Sequence, residues 1–538
     1  MLSGRAGLPG RRRSGKVLEK SAEAIVVRAV GEAIEALRSR KAEQQIGRPG
    51  NDGRRAESSI ARTRLDDSMG VERQQGMGDQ LYLWGELAPV RPGASSKGGT
   101  RASACEEQQA STASAQERAL ASNLMEEVCE RENLIQAYKR VKSNKGSPGV
   151  DGLSVHDLGP WLAEHKEALI ASLLDGHYEP QPVKGVEIPK PGGGMRQLGI
   201  PTVRDRLVQQ AILQVLEPLL DPTFSESSYG FRPRRSAHQA LHQASEYVKE
   251  GRGIVVDIDL EKFFDRVNHD ILMSRLARRV GDKRLLRIIR RFLEAGMMCN
   301  GVCIERHEGT PQGGPLSPLL ANLLLDDLDR ELEKRGHTFC RYADDCNIYV
   351  RSKAAGESVM SSVTTFVEKR LRLRVNRDKS AVAHVSERKF LGYRLLPGGK
   401  LGIAPKSLAR AKDRVRQITR RNRGISLERM IGELNSFLTG WVTYFRYAEC
   451  KSHLQRLEEW IRRKLRCVRL KQRKRAKSIA DFLRKLGVPE WRAWCLASSG
   501  KGWWRMAGSP QAAEGMTLAW FREQGLVCLT ERYATLQR

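Results

Sequence analysis

The chain has 538 residues, which is long enough for roughly two to four domains with sizeable cores. Its formal net charge is +30, which is typical of proteins that bind a polyanion, with nucleic acid as the first candidate and an anionic membrane surface as the second. No apolar run approaches the roughly 20 residues that cross a bilayer, so the sequence predicts no membrane-spanning helix, and we expect no membrane partner.

The first 122 residues differ in composition from the rest of the chain. They are rich in Gly, Ser, Arg, Ala, Gln and Glu, and only residues 21–38 have helical periodicity. Such a segment buries too little apolar surface to fold, so we predict a disordered extension over residues 1–122. The basic start also resembles an organelle presequence, and a later methionine is an alternative start, but we favour an ordinary basic terminus.

Periodic sequence begins near residue 123 and predicts an α+β fold. The first predicted elements are helices over 124–142 and 157–175, a hairpin over 183–200, a helix over 204–217 that Pro218 ends or kinks, and a strand over 253–258. Next come helices over 270–277, 283–295 and 317–335, a hairpin around 339–350, a helix over 356–371, short strands to 396 and a mostly helical, basic remainder from about 405.

Ten cysteines occur, and none forms the Cys-x-x-Cys pairs of a zinc site. Cys299 and Cys303 come closest to metal-ligand spacing, but no second cysteine pair or histidine pair follows them. We therefore expect reduced thiols, as in a cytosolic protein, and no structural metal cluster.

The most informative feature is the tetrad Tyr-Ala-Asp-Asp at 342–345, which lies between two apolar, strand-like runs. Two adjacent carboxylates at the tip of a hairpin can hold divalent metal ions where a nucleotide's phosphates arrive. A plain turn is the alternative, because Asp tolerates unusual backbone angles and bonds its own backbone.

Two further segments favour the metal interpretation, because two-metal phosphoryl transfer needs carboxylates from separate segments. The apolar run 253–256 leads into Asp257 and Asp259, which are two residues apart and so face the same side of a strand. Simple capping of a strand end is the alternative there. Segment 309–318 combines glycines that allow close approach to a ligand with a Ser-Pro pair typical of a helix N-terminus. Such a terminus attracts phosphate.

Together these segments resemble reverse transcriptases, and more narrowly the reverse transcriptase and maturase proteins that bacterial group II introns encode. The resemblance covers roughly residues 123–538, with the motifs in the family's order. They are the loop 144–152, segments 188–201 and 228–233, Asp259 with Phe264 five residues later, Pro-Gln-Gly-Gly-Pro-Leu-Ser-Pro at 311–318, the tetrad 342–345, and segments 373–380 and 390–393.

The resemblance implies a domain order. It consists of right-hand polymerase fingers and palm over 123–396, an α-helical thumb or maturase domain over 397–480, and a short nucleic-acid-binding region over 481–538. No nuclease domain with paired cysteines is visible, as in the bacterial C-type lineage, so we expect no second-strand DNA cleavage.

The resemblance also implies the catalytic residues. Asp259, Asp344 and Asp345 would be the metal ligands, and Asp257 is the fallback for Asp259. Asp344 would bind both ions and Asp345 would support it. The metal would be Mg²⁺, in two ions, because this ion takes carboxylate and phosphate oxygens.

Five other positions would bind the dNTP. Phe264 would be a steric gate against the 2′-hydroxyl of a ribonucleotide, with an ordinary core residue as the alternative. Lys190 and Arg196 would clamp the triphosphate from a glycine-rich hairpin tip. Gln312 would orient the nucleotide or template, and Lys379 would donate a proton to pyrophosphate.

The basic C-terminal half predicts contact with RNA. Residues 403–425 and 451–477 are dense in Lys and Arg, with Trp and Tyr between the basic helices. The helix around 457–466 would bury Leu457, Trp460, Ile461 and Leu465 on one face. Its other face would present four cations to RNA, with a solvated helix face as the alternative. They are Arg462, Arg463, Lys464 and Arg466.

The function implied is an RNA-directed DNA polymerase that also binds intron RNA to promote splicing and retrohoming. Its partners would be intron RNA, an RNA template, a DNA primer or target, and dNTPs, in a bacterial cytoplasm and at the nucleoid when it acts on DNA. An RNA-binding splicing factor with an inactive polymerase fold is one alternative, and the three Asp residues argue against it. A reverse transcriptase used for another task, such as phage defence, is the second, and the maturase-like thumb argues against it.

Overall fold

The computed structural model describes residues 123–189, 194–299 and 301–538. The extension predicted for 1–122 and the position Lys190 lie outside the described residues. The chain divides into two compact units that are discontinuous in sequence. The first extends to Ala240 and includes Ile258–Ile348 and Ser358–Ala381, and the second comprises Leu241–Asp257, Tyr349–Glu357 and Val382–Arg538. The domain boundaries predicted at 396 and 480 stay predictions.

The elements up to the tetrad alternate between helices and short strands. In chain order they are α1 (Leu124–Cys129), α2 (Arg131–Ser143), α3 (Leu158–Leu174), β1 (Val183–Pro189), β2 (Met195–Ile200), α4 (Val203–Leu220), α5 (Ala237–Lys249), β3 (Ile254–Ile258), α6 (His269–Ala277), α7 (Lys283–Glu294), β4 (Met297–Cys299), β5 (Val302–Ile304), α8 (Ser317–Lys334) and β6 (Thr338–Tyr342).

Helices dominate after the tetrad. The elements are β7 (Asp345–Val350), α9 (Lys353–Arg370), β8 (Ala381–His384), β9 (Tyr393–Leu395), β10 (Leu401–Ile403), α10 (Pro405–Ile418), α11 (Leu427–Tyr444), α12 (Lys451–Arg473), α13 (Ala476–Lys485), α14 (Glu490–Ala497), α15 (Trp503–Met506), α16 (Pro510–Gly515), α17 (Leu518–Glu523) and α18 (Leu529–Gln537). The predicted α+β class, with a helical C-terminal half, is confirmed.

The strands form three small sheets. One has the order β2-β1-β4-β5, another the order β6-β7-β3-β8, and β9 pairs with β10. The predicted hairpin of β1 and β2 is antiparallel, with Lys184 opposite Ile200, whereas β1 runs parallel to β4. The β4–β5 hairpin has no counterpart among the predicted elements, although an Asn-Gly pair between apolar residues at 300–301 is a strong hairpin signal.

One helix prediction is wrong, and the end of another helix is extended. The segment 124–142 forms two helices, because Glu130 adopts an extended backbone with ψ 138°. The side-chain amide of Asn133 donates to the carbonyls of Val128 (3.0 Å) and Ala211 (3.1 Å), which stabilises the break. Pro218 does not end α4, which continues to Leu220. Proline keeps a helical φ and removes only one backbone hydrogen bond near the end of the helix.

Helix α8 occupies the core of the first unit. Twelve of its 18 residues are buried, which accounts for the nearly continuous leucines in its sequence. Two of the buried residues are acids, Asp326 and Asp329, each with no exposed surface. Because a buried charge is costly unless it is paired, both need cationic partners.

The cysteines of the described residues are all free thiols, as predicted. Within these same residues, no helix is long and apolar enough to cross a membrane.

Candidate active site

The tetrad 342–345 forms the turn between β6 and β7, so the predicted hairpin tip is present. Ala343 lies in the left-handed region with φ 57°, which a non-glycine residue adopts only when its surroundings stabilise it. Asp344 is half-buried and Asp345 is exposed. Two carboxylates thus lie at a tip whose backbone conformation depends on neighbouring segments.

Segment 227–230 supports the tip from beside β6. Backbone hydrogen bonds join the Tyr229 N–H to the Arg341 carbonyl (2.9 Å) and the Arg341 N–H to the Ser227 carbonyl (2.9 Å). A Cβ atom on Gly230 would lie 2.2 Å from the backbone nitrogen of Ala343, so only glycine fits there. This explains a motif to which the sequence assigned no role.

The Arg341 side chain bonds the tip from the protein interior and has no exposed surface. Its Nε and Nη2 donate to the two carboxylate oxygens of Asp329 at 2.7 and 2.6 Å. Nη1 donates to the Asn322 side chain (3.0 Å) and to the Ala343 carbonyl (2.9 Å), and Nη2 also donates to Ser228 Oγ (2.8 Å). All five N–H groups of the guanidinium are therefore bonded.

Arg341 and Asp329 form an ion pair, and burial raises the pKa of the Asp329 carboxyl although the adjoining guanidinium opposes that rise. Burial lowers the pKa of the Arg341 guanidinium, but the adjoining Asp329 carboxylate outweighs burial and leaves the pKa raised. Sequence reasoning missed both residues, because nothing in the local pattern connects Arg341 with a helix residue twelve positions earlier.

Asp259 directly follows β3, which neighbours β7 in the sheet. Its backbone N–H donates to Ser380 Oγ (3.0 Å), and its carbonyl accepts from the Asn376 N–H (2.8 Å). Its carboxylate lies 3.1 Å from Lys379 Nζ. The structure thus places the predicted proton donor Lys379 beside a predicted metal ligand.

Asp257 has a different environment from Asp259. Its Oδ2 atom accepts hydrogen bonds from Arg388 Nε (2.9 Å) and Nη2 (2.6 Å), in a partly buried ion pair. A carboxylate already neutralised by a forked guanidinium is a poor metal ligand. This contact favours Asp259 over the fallback Asp257.

The two phenylalanines after Asp259 differ in burial. Phe263 is 2% exposed and belongs to the core, whereas Phe264 is half-buried, with the two ring centroids 5.1 Å apart. The exposure of Phe264 favours a contact surface over the core alternative. The predicted gate position remains a prediction.

Segment 309–312 fixes the backbone around Phe264. The Thr310 N–H donates to the Phe264 carbonyl (2.7 Å), and Gln312 Nε2 lies 3.4 Å from Asp265 Oδ1. Gly309 has φ 91°, and a Cβ there would lie 2.9 Å from the carbonyl oxygens of Phe264 and Asp265. The fold therefore brings Gln312 and Phe264 together.

The second predicted clamp residue is Arg196, which lies on β2 opposite Ile188.

The donor atoms of this site fit Mg²⁺. Among the described residues, no three His, Cys, Asp or Glu side chains are grouped as a ready-made metal cage. Mg²⁺ commonly binds through one or two carboxylates and completes its octahedral shell with water and substrate phosphates. Asp259 and Asp344 adjoin the neighbouring strands β3 and β7, and their carboxylate oxygens suit a site of that kind better than an all-protein cage.

The four predicted RNA-binding cations of α12 contact other parts of the second unit. Arg462 Nη1 lies 3.7 Å from Glu458 Oε2. Arg463 lies 4.2 Å from the centroid of the Trp504 ring, and Arg466 donates to the Met516 carbonyl at 3.0 and 3.2 Å. The Arg462 contact lies within α12, whereas those of Arg463 and Arg466 connect α12 with Trp504 and Met516.

Trp460 is half-buried, so the prediction that it is buried holds only in part. Its ring lies between two cations, with Arg416 Cζ 5.6 Å and Lys464 Nζ 5.3 Å from its centroid. Lys464 Nζ is also 5.8 Å from the Trp504 centroid. Partial burial lowers the pKa of Lys464. The two tryptophans and the cations beside them form one surface of the second unit.

Comparison with known proteins identifies two regions. Residues 188–395 match the family model described as reverse transcriptase (RNA-dependent DNA polymerase). Residues 408–487 match the group II intron, maturase-specific domain. Protein YkfC of Escherichia coli K12 is 35% identical over 314 residues, which cover 51% of this chain and 82% of YkfC. The chain belongs to the group II intron reverse transcriptase and maturase family.

Other members of this family match over a smaller share of their length. The group II intron-encoded protein LtrA of Lactococcus lactis is 30% identical over 324 residues, covering 48% of this chain and 54% of LtrA. A putative COX1/OXI3 intron 2 protein of Saccharomyces cerevisiae is 28% identical over 321 residues, covering 48% of this chain and 37% of that protein. The chain thus spans about half the length of LtrA.

Because the tip lies in the region that matches reverse transcriptases, a change in its conformation should alter primer extension. We predict that Gly230→Ala lowers primer extension on an RNA template by on the order of 100-fold, because the added methyl group displaces the backbone of Ala343. The control is Gly440→Ala in α11, where a Cβ meets nothing within 4 Å. Wild-type extension by Gly230→Ala would show that the tip is not held there.

Proposed function

We propose that this protein is a group II intron RNA-directed DNA polymerase that extends a DNA primer on an RNA template and also binds structured intron RNA as a maturase. The observation that carries the proposal is the pair of aspartates at the β6–β7 tip, with Asp259 at the end of the neighbouring strand β3. Both segments lie inside the region that matches reverse transcriptases.

In the reaction proposed, the 3′-oxygen of the primer attacks the α-phosphorus of a dNTP, the new phosphodiester bond forms, and pyrophosphate leaves. Two Mg²⁺ ions, when bound by Asp259, Asp344 and Asp345, would supply charge neutralisation at the attacking and leaving oxygens. The protein's own residues would supply position, because this chemistry depends mainly on alignment and electrostatics.

Five residues would bind the nucleotide. The exposed face of Phe264 would exclude a 2′-hydroxyl, and Gln312, which lies beside Asp265, would orient the nucleotide or template. Lys379, whose ammonium group lies 3.1 Å from the Asp259 carboxylate, would protonate the departing pyrophosphate. Lys190 and Arg196 would hold the triphosphate from the fingers hairpin.

The maturase part of the proposal concerns the second unit. The surface of Trp460, Lys464, Arg463 and Trp504 combines cations with aromatic rings, and Trp504 is 40% exposed. Such surfaces bind nucleic acid through phosphate contacts and base stacking. Arg462 and Arg466, on the same helix, would also contact the RNA. We also propose that the protein belongs to the bacterial C-type lineage. It would be located in the cytoplasm and would associate with the nucleoid when it acts on DNA.

Primer extension on an RNA template with Mg²⁺ tests the polymerase proposal. We expect Asp259→Asn and Asp344→Ala to reduce extension by at least about 1,000-fold, because each removes a metal ligand. Asp257→Asn is the matched control, since Asp257 bonds Arg388 and should remain dispensable for metal binding. Full extension by Asp344→Ala would refute the site assignment, and an inactive wild-type protein would favour the splicing factor with an inactive polymerase fold.

RNA binding at several salt concentrations tests the maturase proposal. We predict that the double variant Arg463→Gln/Lys464→Gln binds group II intron RNA more weakly. The slope of log K against log salt should fall by about 0.7 to 0.9 for each lost phosphate contact. The control is Lys334→Gln/Lys353→Gln, which removes two cations outside the maturase-specific match. Equal slopes for both variants would place the RNA elsewhere.

A further inference from the structure

The first unit contains a charged pair without exposed surface, formed by Arg341 and Asp329. Taking two charges out of water costs more than packing apolar side chains of similar volume. Stabilisation of the fold alone is therefore a weak explanation for a buried ion pair. Other ion pairs on α8 connect the helix to its neighbours without reaching the tetrad, such as Arg275 with Asp327 and Arg279 with Asp326. Arg341 differs from them because it also bonds the tip itself.

The contact with the tip is made at one peptide group. Arg341 Nη1 donates to the carbonyl of Ala343 at 2.9 Å, and that carbonyl belongs to the peptide joining Ala343 to Asp344. Ala343 is in the left-handed region, so this peptide is turned away from its usual orientation. The orientation of the peptide sets the direction in which the Asp344 side chain leaves the backbone.

Asn322 extends the same network to the other side of the tip. Its Oδ1 accepts from Arg341 Nη1 (3.0 Å), and its Nδ2 donates to the Gly230 carbonyl (2.8 Å). Gly230 in turn lies against the backbone of Tyr342 and Ala343. The buried network therefore fixes the tip from two directions.

We propose that Arg341, oriented by Asp329, is a positioning residue for the metal-binding tip, and that the affinity of the site for divalent metal depends on the bond from Arg341 to Ala343. The inference rests on the proposed polymerase function, because that function makes Asp344 a metal ligand. Arg341 has no exposed surface, so it would act only through the peptide before Asp344.

The test measures Mn²⁺ binding to the full-length protein by electron paramagnetic resonance, together with the Mg²⁺ dependence of primer extension. In Arg341→Lys the charge remains, but one ammonium group cannot reproduce the five bonds of the guanidinium. We expect the Mn²⁺ dissociation constant to rise about 10-fold to 100-fold, the effect usual for residues that orient metal ligands. The half-saturating Mg²⁺ concentration should rise in parallel, and excess Mg²⁺ should restore part of the rate.

The matched control is Arg275→Lys. This change alters the ion pair that joins Arg275 of α6 to Asp327 of α8, and that pair makes no contact with the tip. It should bind Mn²⁺ like the wild type.

A second variant covers the case in which Arg341→Lys does not fold. The double variant Arg341→Met/Asp329→Leu replaces both members of the buried pair by apolar side chains, so neither charge is left without its partner, and we expect a folded protein with the same weakened Mn²⁺ binding. Mn²⁺ affinity within twofold of wild type in either folded variant would overturn the inference. Failure of the proposed function is a separate result, namely a wild-type protein that extends no primer although it binds Mn²⁺.

Discussion

The buried guanidinium of Arg341 is the interaction on which the candidate site depends most. It bonds helix α8 through Asp329 and Asn322, the segment beside β6 through Ser228, and the hairpin tip through the carbonyl of Ala343. Three separate segments thus meet at one side chain. A planar group with five fixed donors can join them, because each donor direction is set by the geometry of the group.

The remainder of the site follows the same design, in which backbone bonds hold each functional residue. Residues 376–380 bond the backbone of Asp259 on both sides, and Thr310 bonds the carbonyl of Phe264. Gly309 and Gly230 lie so close to neighbouring backbone that a Cβ would not fit. Much of the motif sequence therefore serves to bring main chains together, while a few side chains reach the place proposed for the substrate. Pre-organisation of this kind suits a reaction in which positioning supplies most of the rate.

The sequence predicted the features that local patterns determine. The Tyr-Ala-Asp-Asp hairpin, strand β3 before Asp259 and helix α8 after a Ser-Pro start were all expected within a few residues of their observed bounds. The predictions failed where residues distant in sequence determine a helix boundary or the burial of a side chain. Asn133 stabilises the break before α2 by bonding Ala211, and Trp460 is only half-buried, with cations from two helices near its ring. The partners of Arg341 and of Arg466 could not be foreseen either, since no periodicity connects Arg466 with the carbonyl of Met516.

The central claim is that Asp259 and the tetrad, although 85 residues apart in the chain, hold the same metal. Iron-mediated cleavage tests it most directly, with Fe²⁺ in place of Mg²⁺ and hydroxyl radicals generated at the bound ion. We predict backbone cleavage near Asp259 and near residues 342–345 in the wild-type protein, with both lost in Asp344→Ala. Cleavage near one segment only, or unchanged cleavage in the variant, would contradict the claim.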